Sequence, residues 1–193
     1  TETTHYSIYD SFGNAVSVTT TLNAGYGSKI VVEGAGFLLN NEMDDFSAKP
    51  NEPNMFGLIG GEANSIQPEK RMLSSMTPTI VLKDEKPFII IGSPGGSTII
   101  TTVLQVILNC IDFKMNIQEA INKPRIHHQW LPDIIFKEKF AITKDVQQNL
   151  IKMGYNFDDA NNLYFSYIGV AQGIMIDNVN KVIFGGTDPR SSG

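Results

Sequence analysis

Two threonines and a histidine stand near the beginning of the sequence, where Thr3-Thr4-His5 follows Thr1-Glu2. A threonine hydroxyl is a poor nucleophile until a base removes its proton, and the free α-amino group of a terminal threonine, with a pKa near ~8, can be that base. Inside a peptide bond the same nitrogen is an amide. This chemistry therefore predicts cleavage between Glu2 and Thr3, made by the Thr3 hydroxyl on its own upstream carbonyl. Thr1 is a weaker candidate, and the plainer alternative is that Thr3 only begins a strand.

A second run of threonines, Thr19-Thr20-Thr21, lies in an alternating stretch where β-branched residues are ordinary strand formers. Because the period of a strand is two residues, Thr19 and Thr21 share a face. A hairpin that turns at residues 11–14 and pairs residue 4 with residue 21 would bring Thr3 and Thr21 to the same open end. A second hydroxyl there could orient the first for attack.

Three carboxylates, those of Glu42, Asp44 and Asp45, fall within four residues of one another. Such a run is most often a solvated, charged turn. The alternative is a pocket for an ammonium group, for which carboxylates and an amide oxygen are suitable partners. The spacing does not match a calcium-binding loop.

Two further motifs could bind anionic groups. The adjacent hydroxyls of Ser74 and Ser75 can donate to a carboxylate. The Gly95-Gly96 turn precedes a predicted helix, so its N–H groups lie beside the positive helix end and can form an oxyanion hole. The alternative for these glycines is a plain strand-to-helix connection. They do not form a phosphate loop, because no Lys-Ser or Lys-Thr follows them.

The elements that must position these residues follow from hydrophobic pattern and turn residues. Strands are predicted at residues 4–10, 15–22, 36–40, 79–83, 87–92, 164–176 and 182–184. Helices are predicted at residues 98–111, after the capping pair of Asn116 and Glu119, and from Thr143 to Met153. The segment 47–65, rich in glycine and proline, is predicted to be a functional or mobile loop. Strands at both ends with helices between them predict an α+β fold, in which helices pack outside antiparallel sheet.

Composition narrows the class of protein. The 193 residues are 41% hydrophobic and are predicted to form a single domain over 1–193. The net charge of −5 and the lack of a Lys/Arg cluster argue against nucleic-acid binding. No apolar run reaches the ~20 residues of a membrane span. Cys110, the single cysteine, is expected to be a buried, unreactive thiol, and neither a metal nor a cofactor is predicted.

A family resemblance is carried by these segments, taken in order: TTHYS, GNAVSVTTTLN, LLNNEMDDFSAKP, RMLSSMTPT, GSPGGSTIITTVLQ, PRIHHQWLPD and DPR. They resemble the small subunit of the γ-glutamyltransferases from Thr3 to Arg190. The resemblance implies a four-layer αββα sandwich of the N-terminal nucleophile hydrolase type, completed by a large subunit that is not in this chain. It also implies a precursor that cleaves itself, with residues 1–2 as a remnant and a mature start at Thr3.

By this resemblance, Thr3 is the nucleophile and Thr21 supplies the hydroxyl that supports it. The other matched residues are Asn23, Glu42 and Asp45 for the donor's α-amino group, Ser74 and Ser75 for its α-carboxylate, and Gly95 and Gly96 for the oxyanion hole. Phe56 lies in the segment that matches the lid of many bacterial members, several of which have tyrosine there. Without the hydroxyl, the lid is expected to lack a hydrogen bond and to admit water or bulky acceptors more easily. Glu42 stands where some members have glutamine, and its extra charge should favour the donor's ammonium group.

The activity implied by the resemblance is that of a γ-glutamyl acyltransferase and hydrolase, acting on glutathione and other γ-glutamyl compounds without a cofactor or metal. A γ-glutamyl ester forms on Thr3, and water or the amine of an amino acid or peptide then completes the reaction. The family supplies an arginine for the donor's α-carboxylate from the large subunit. A heterodimer or a dimer of heterodimers, secreted or periplasmic, is implied as well. His127 and His128 are expected to be structural.

Three other hypotheses stay open. Relatives of the same fold transfer poly-γ-glutamate onto a cell-wall acceptor, although the lid segment favours small substrates. A non-catalytic, β-rich partner subunit is a second possibility. If Thr1-Glu2 is never removed, the chain is an inactive proenzyme fragment.

Overall fold

The computed structural model describes residues 3–158 and 167–191 of the chain. Its regular elements, in chain order, are β1 (Thr4–Tyr9), β2 (Ala15–Thr20), β3 (Thr79–Lys83), β4 (Lys86–Gly92), α1 (Ile99–Ile111), α2 (Ile117–Asn122), β5 (Ile126–His127), β6 (Phe136–Lys137), α3 (Lys144–Lys152), β7 (Gln172–Asp177) and β8 (Val182–Thr187). Every strand pair is antiparallel within these ranges. The predicted α+β class is confirmed.

β1 and β2 form a hairpin whose turn is set by Asp10. The Asp10 carboxylate accepts hydrogen bonds from the N–H groups of Phe12 (2.9 Å) and Asn14 (2.8 Å). Gly13 adopts a left-handed φ of +87°, which glycine tolerates at no steric cost. Together these features close a three-residue loop with a glycine bulge between Asp10 and Asn14.

The register of this hairpin differs by one residue from the predicted one. Thr4 pairs with Thr20, whereas the sequence predicted a pair with residue 21. The prediction is wrong because the glycine bulge shortens the four-residue turn expected at 11–14. Continued by one step, the observed register places Thr3 directly opposite Thr21.

A second antiparallel sheet has the strand order β3-β4-β7-β8. Its strand β4 is apolar on both faces, and Ile89, Ile90 and Ile91 are completely buried. Such a strand needs cover on both sides. The β1–β2 hairpin packs on one face of this sheet, and α1 and α2 pack on the other, so the described chain has a helix–sheet–sheet order of layers.

Hydroxyl groups attach the hairpin to the four-stranded sheet. Ser7 Oγ donates to the carbonyl of Ile90 (3.3 Å), and Ser17 Oγ donates to the carbonyl of Ile91 (3.1 Å). The two serines lie directly opposite each other in the hairpin. One serine from each strand therefore ties the hairpin to β4.

His5 fills the space between the hairpin and the end of β4. A Cβ on Gly92 would overlap the His5 ring, so only glycine permits this close approach. The ring nitrogens are within hydrogen-bond distance of Thr19 Oγ1 (2.8 Å) and Ser7 Oγ (3.0 Å). Burial lowers the pKa of His5 from 6.5 to about 4, so the ring is neutral at physiological pH.

The helical layer follows the predicted pattern closely. α1 buries Val103, Val106 and Cys110, which confirms the expected burial of the cysteine. Burial raises the pKa of the Cys110 thiol to about 11, which disfavours the reactive thiolate. α2 begins at the predicted capping box, where Asn116 and Glu119 exchange side-chain-to-backbone hydrogen bonds. In the ranges given above, no helix combines the length and apolar character that a bilayer crossing needs.

Some boundaries differ from the prediction. Residues 36–40 form no strand, and only an isolated bridge joins Val31 to Leu38, because Gly34 and Gly36 take left-handed φ values in a tight turn. A 3₁₀ turn, Gly96–Thr98, precedes α1. The predicted strand 164–176 begins only at residue 172, and its residues 164–166 lie outside the described part of the chain.

Candidate active site

The open end of the β1–β2 hairpin brings two hydroxyl groups together. Thr3 Oγ1 donates to Thr21 Oγ1 at 3.0 Å. Thr21 Oγ1 also accepts the backbone N–H of Asn23 at 2.9 Å, and Asn23 adopts a left-handed φ of +71°. The Asn23 side chain is buried and donates to the carbonyl of Asn41 (3.3 Å). Thr21 is thus held from two directions beside the Thr3 hydroxyl.

Most of the predicted site residues meet at one small cavity beside Thr3. The cavity is lined by Thr3, Thr21, Asn23, Asp45, Phe56, Ser75, Met76, Gly96 and Ile99. Its volume is about 20 Å³, which is room for a single water molecule. Glu42, Ser74 and Gly95, which were also predicted, do not line the cavity. Ser74 and Gly95 are sequence neighbours of lining residues, and Glu42 begins the turn that ends at the lining residue Asp45.

The glycine turn has a backbone that other residues would not adopt. Gly95 has a φ of +146° and Gly96 a φ of +58°. The Gly95 carbonyl accepts both the N–H (3.1 Å) and the hydroxyl (2.8 Å) of Thr98, so it points into the start of the helix. A Cβ on Gly95 would lie 2.5 Å from Thr98 Oγ1 and 3.0 Å from Gly169 Cα. The turn is therefore fixed by close packing on both sides.

The acidic residues form a 3₁₀ turn, Glu42–Asp45, against the cavity. Burial raises the pKa of Asp45, and the charge of Asp44 adds to this. Burial also raises the pKa of Glu42, with the charge of Asp45 as the second cause. Within the described ranges neither Glu42 nor Asp45 is in an ion pair with a basic side chain. A cation placed beside these carboxylates would stabilise their ionised form, which burial disfavours.

The two serines differ in their surroundings. Ser75 is half-buried and lines the cavity. Ser74 is exposed, and its Oγ accepts the N–H of Met76 at 3.3 Å. Only Ser75 therefore faces the space next to Thr3.

Phe56 covers the glycine turn. A Cβ on Gly96 would lie 3.1 Å from Phe56 Cε1, so the ring rests directly on this glycine. The backbone next to the ring is also fixed, since the N–H of Met55 donates to Asp44 Oδ2 (3.3 Å). The residue predicted to belong to a lid thus lies across the cavity that contains Thr3.

A larger cavity of about 600 Å³ opens beside the small one. Residues 44–64, α1 and His127 contribute to its walls, and Asp45 and Ser75 line both cavities. His127 is buried, its Nδ1 lies 2.8 Å from Thr101 Oγ1, and burial lowers its pKa. Over the described residues, no three His, Cys, Asp or Glu side chains converge as metal ligands would.

A buried ionic cluster was not predicted from the sequence. Arg125 Nη2 donates to Asp188 Oδ2 at 2.7 Å, and Arg190 donates to Asp188 Oδ1 (2.9 Å) and to Glu138 (2.6 Å). Burial opposes ionisation of Asp188, but the charges and hydrogen bonds of the two arginines outweigh it and lower its pKa. The sequence signals for this cluster are the arginines of the PRI and DPR motifs. The two members of an ion pair in the cluster are separated by up to 63 residues in the sequence.

This cluster supports the backbone behind the glycine turn. Arg125 Nη1 donates to the carbonyls of Ile168 (2.8 Å) and Gly169 (3.3 Å), and Asp188 accepts the N–H of Ala171 (2.8 Å). Gly169 in turn packs against Gly95. Arg125 therefore supports the backbone from the interior of the fold.

Comparisons with known proteins agree with this geometry. The family model for gamma-glutamyltranspeptidase matches residues 1–193. The glutathione hydrolase proenzyme of Escherichia coli (strain K12) is 50% identical over 190 residues, which cover 98% of this chain and 32% of that protein. The glutathione hydrolase proenzyme of Pseudomonas sp. (strain A14) is 50% identical over 192 residues, with 97% and 33% covered.

Solved structures give the same result. The T380A mutant of Helicobacter pylori gamma-glutamyltranspeptidase has a TM-score of 0.88 and 57% identity, covering 97% of this chain and 100% of that one. An acivicin-inhibited gamma-glutamyltranspeptidase has a TM-score of 0.88 and 56% identity, with 98% and 100% covered. The transpeptidase CapD of Bacillus anthracis is more distant, with a TM-score of 0.69 and 28% identity over 98% and 96%.

The packed antiparallel sheets with an outer helical layer are those of the N-terminal nucleophile hydrolases, as predicted. Within that class, the chain belongs to the gamma-glutamyltranspeptidase family. It spans about a third of the length of the curated relatives it matches.

Proposed function

We propose that this chain is the catalytic small subunit of a γ-glutamyltransferase and glutathione hydrolase. The observation that carries the proposal is the Thr3–Thr21 hydroxyl pair, 3.0 Å apart, beside the glycine turn and the acidic segment. The names of the relatives, glutathione hydrolase proenzyme, support the same activity and a longer precursor. The poly-γ-glutamate alternative is less favoured, because relatives at 47–50% identity over nearly the whole chain are named glutathione hydrolase proenzymes.

The reaction begins when cleavage of the Glu2–Thr3 bond frees the Thr3 amine. This amine takes the hydroxyl proton as Thr3 Oγ1 attacks the γ-carbonyl carbon of the donor, while Thr21 orients the hydroxyl. The negative charge that develops on the carbonyl oxygen is stabilised by N–H groups of the Gly95-Gly96 turn. The amine returns the proton to the leaving nitrogen, the C–N bond breaks, and a γ-glutamyl ester remains on Thr3.

The second half of the reaction regenerates the enzyme. Water or the amine of an amino acid or peptide attacks the ester carbon, and the Thr3 amine takes one proton from the attacking group. The C–O bond to Thr3 breaks, and the proton passes to its oxygen. Hydrolysis releases glutamate, whereas transfer releases a new γ-glutamyl amide.

The donor's zwitterionic end fits the polar groups around the cavity. Its ammonium group pairs with Asp45 and Glu42, whose pKa values are raised by burial and by a neighbouring carboxylate, together with Asn23. Its carboxylate accepts from Ser75 and Ser74 and from an arginine of the large subunit. The space of about 20 Å³ beside Thr3 is smaller than a γ-glutamyl group, and the adjoining cavity of about 600 Å³, which Asp45 and Ser75 also line, offers room for the rest of the donor.

The proposed partner is a large subunit from the same precursor, in a heterodimer or a dimer of heterodimers. The outer face of the hairpin exposes Tyr6 (46%), Ile8 (50%) and Val16 (42%), an apolar surface suited to a permanent partner. A secreted or periplasmic location is proposed with the family assignment. Nucleic acid, metal and cofactor have no part in this proposal.

The decisive experiment uses the full-length precursor that contains this chain. In Thr3→Ala, we expect neither cleavage nor release of glutamate from glutathione, whereas Thr3→Ser should retain both in part. Thr4→Ala is the matched control, because Thr4 is the exposed neighbour of Thr3. N-terminal sequencing and intact mass of the active parent should place the new terminus at Thr3. Turnover by Thr3→Ala, or full activity with a terminus at Thr1, would refute the assignment.

A further inference from the structure

The chain contains the same five-residue turn twice. Asp10–Asn14 has the sequence DSFGN, and Asn54–Leu58 has the sequence NMFGL. Each begins with an aspartate or asparagine, has phenylalanine third and has glycine fourth. The glycines have similar left-handed φ values, +87° and +72°. The first turn closes the β1–β2 hairpin, and the second lies inside a bridge that joins Pro53 to Ile59.

The hydrogen bonds of the second turn reproduce those of the first. Asn54 Oδ1 accepts the N–H groups of Phe56 and Leu58, both at 3.0 Å, as Asp10 Oδ1 accepts those of the corresponding residues. The backbone N–H of Asn54 donates to the carbonyl of Leu58, and that of Gly57 donates to the carbonyl of Asn54, both at 2.9 Å. One side-chain oxygen therefore fixes the backbone on both sides of Phe56.

The two turns differ in what the phenylalanine touches. Phe12 projects into solvent and is 89% exposed. Phe56, presented by the same backbone, rests on Gly96. The turn forms in the first case without any contact of the ring, so its conformation comes from the aspartate or asparagine and the glycine. At the second site, Asn54 thus determines where the Phe56 ring is placed.

The surroundings of the second turn connect it to the candidate site. The residue between Asn54 and Phe56 is Met55, whose N–H donates to Asp44 and whose Sδ lies 3.7 Å from Asn23 Nδ2. The turn therefore touches the acidic segment, Asn23 and the glycine turn at once. Because Phe56 has no hydroxyl, its ring has no polar anchor of its own.

We propose that Asn54 is a positioning residue that sets the choice between water and an amine as the acceptor. It acts by holding Phe56 over Gly96, where the ring limits the access of water to the γ-glutamyl ester. This inference rests on the proposed function. Loss of the Asn54 oxygen leaves two N–H groups without their acceptor and releases the ring, so hydrolysis gains over transfer while Thr3 and Thr21 stay in place.

The test measures the ratio of hydrolysis to transfer in the processed enzyme, with glutathione as donor and glycylglycine as acceptor. Asn54→Ala should raise this ratio by about five- to a hundredfold, as expected for the loss of two hydrogen bonds. Asn54→Asp should stay near the parent, since Asp10 makes the same turn with a carboxylate. Asp177→Ala is the control: its carboxylate also accepts two turn N–H groups, but in the β7–β8 turn.

A double-mutant cycle with Phe56→Ala separates positioning from general damage. If Asn54 acts through the ring, Asn54→Ala adds nothing to the ratio in the Phe56→Ala background. Should Asn54→Ala fail to fold, Asn54→Ser provides the same comparison with a shorter acceptor. An unchanged ratio in Asn54→Ala, an equal rise in Asn54→Asp, or additive effects in the cycle would overturn the inference while the proposed function stands. A parent that releases no γ-glutamyl product would overturn both.

Discussion

Thr21 lies opposite Thr3 at the open end of the hairpin, with their hydroxyl oxygens 3.0 Å apart. The N–H of Asn23 donates to Thr21 Oγ1 at 2.9 Å, so this oxygen is held independently of Thr3. The position of this oxygen is therefore fixed, and its hydroxyl hydrogen can turn toward Thr3 Oγ1 when negative charge develops there.

We expect Thr21→Val, which keeps the shape of the side chain but removes its hydroxyl, to lower kcat with glutathione by about 10²-fold. Thr21→Ser should keep most of the activity. Thr20→Val is the control, because Thr20 is the exposed neighbour in the same strand. Steady-state kinetics of the three processed variants check this, and parental turnover by Thr21→Val would contradict it.

The glycine turn should not tolerate a side chain at Gly95. A Cβ there meets Thr98 Oγ1 at 2.5 Å and the backbone of Gly169 at 3.0 Å, so the turn must shift, and we expect Gly95→Ala to lose about 10²-fold in kcat. Gly34→Ala is the matched control for backbone strain, since Gly34 has a φ of +80° but open space around it. Comparable losses in both variants would show that strain, and not displacement of the N–H groups, is responsible.

Asp45 should matter only for donors that carry an α-amino group. Asp45→Asn removes the charge that pairs with the ammonium, so kcat/KM for glutathione should fall by about ten- to a hundredfold. A donor that lacks the α-amino group is the internal control, and its kcat/KM should change little. Since burial raises the pKa of Asp45, the parent's kcat/KM for glutathione should decline at a less acidic pH than an exposed aspartate would impose. Equal losses with both donors would contradict an ammonium-binding role.

His5 should make the folded state sensitive to acid. Its pKa is about 4 when folded, against 6.5 in an unfolded chain, so the unfolded state binds more protons between these values. The free energy of unfolding therefore falls as the pH drops from 6.5 towards 4, by up to about 1.4 kcal/mol per pH unit from this residue. Denaturant unfolding of His5→Gln should show a shallower pH dependence. A slope in His5→Gln equal to that of the parent would contradict the assignment.

Local chemistry made much of the fold predictable. The capping box at Asn116, the alternation in β1 and β2 and the glycine turn before α1 each depend on residues close in sequence, and the structure has all three. The error in the hairpin register has an equally local origin, because the pattern of alternation does not reveal whether Gly13 forms a bulge. That single left-handed residue decides that Thr21, and not Leu22, lies opposite Thr3.

Other features depend on residues that are far apart in the chain. Arg125 and Asp188 are 63 positions apart, and nothing in the sequence near either one indicates a buried ion pair. The contact of Phe56 with Gly96 likewise requires the whole fold. Gly34 and Gly36 interrupt the stretch that was predicted as a strand, where their left-handed conformations favour a turn over an extended chain.

The two serine hydrogen bonds between the hairpin and β4 also fix the position of the nucleophile along the sheet. A strand advances about 3.3 Å per residue, so a slip of the hairpin by one residue along β4 would carry Thr3 and Thr21 together by that distance relative to the Gly95-Gly96 turn. A slip by one residue would turn Ser7 and Ser17 away from the carbonyls they bind and present their apolar neighbours instead. The hairpin can therefore be misplaced on β4 only in steps of whole residues, and each step would move the Thr3 nucleophile out of line with the glycine turn.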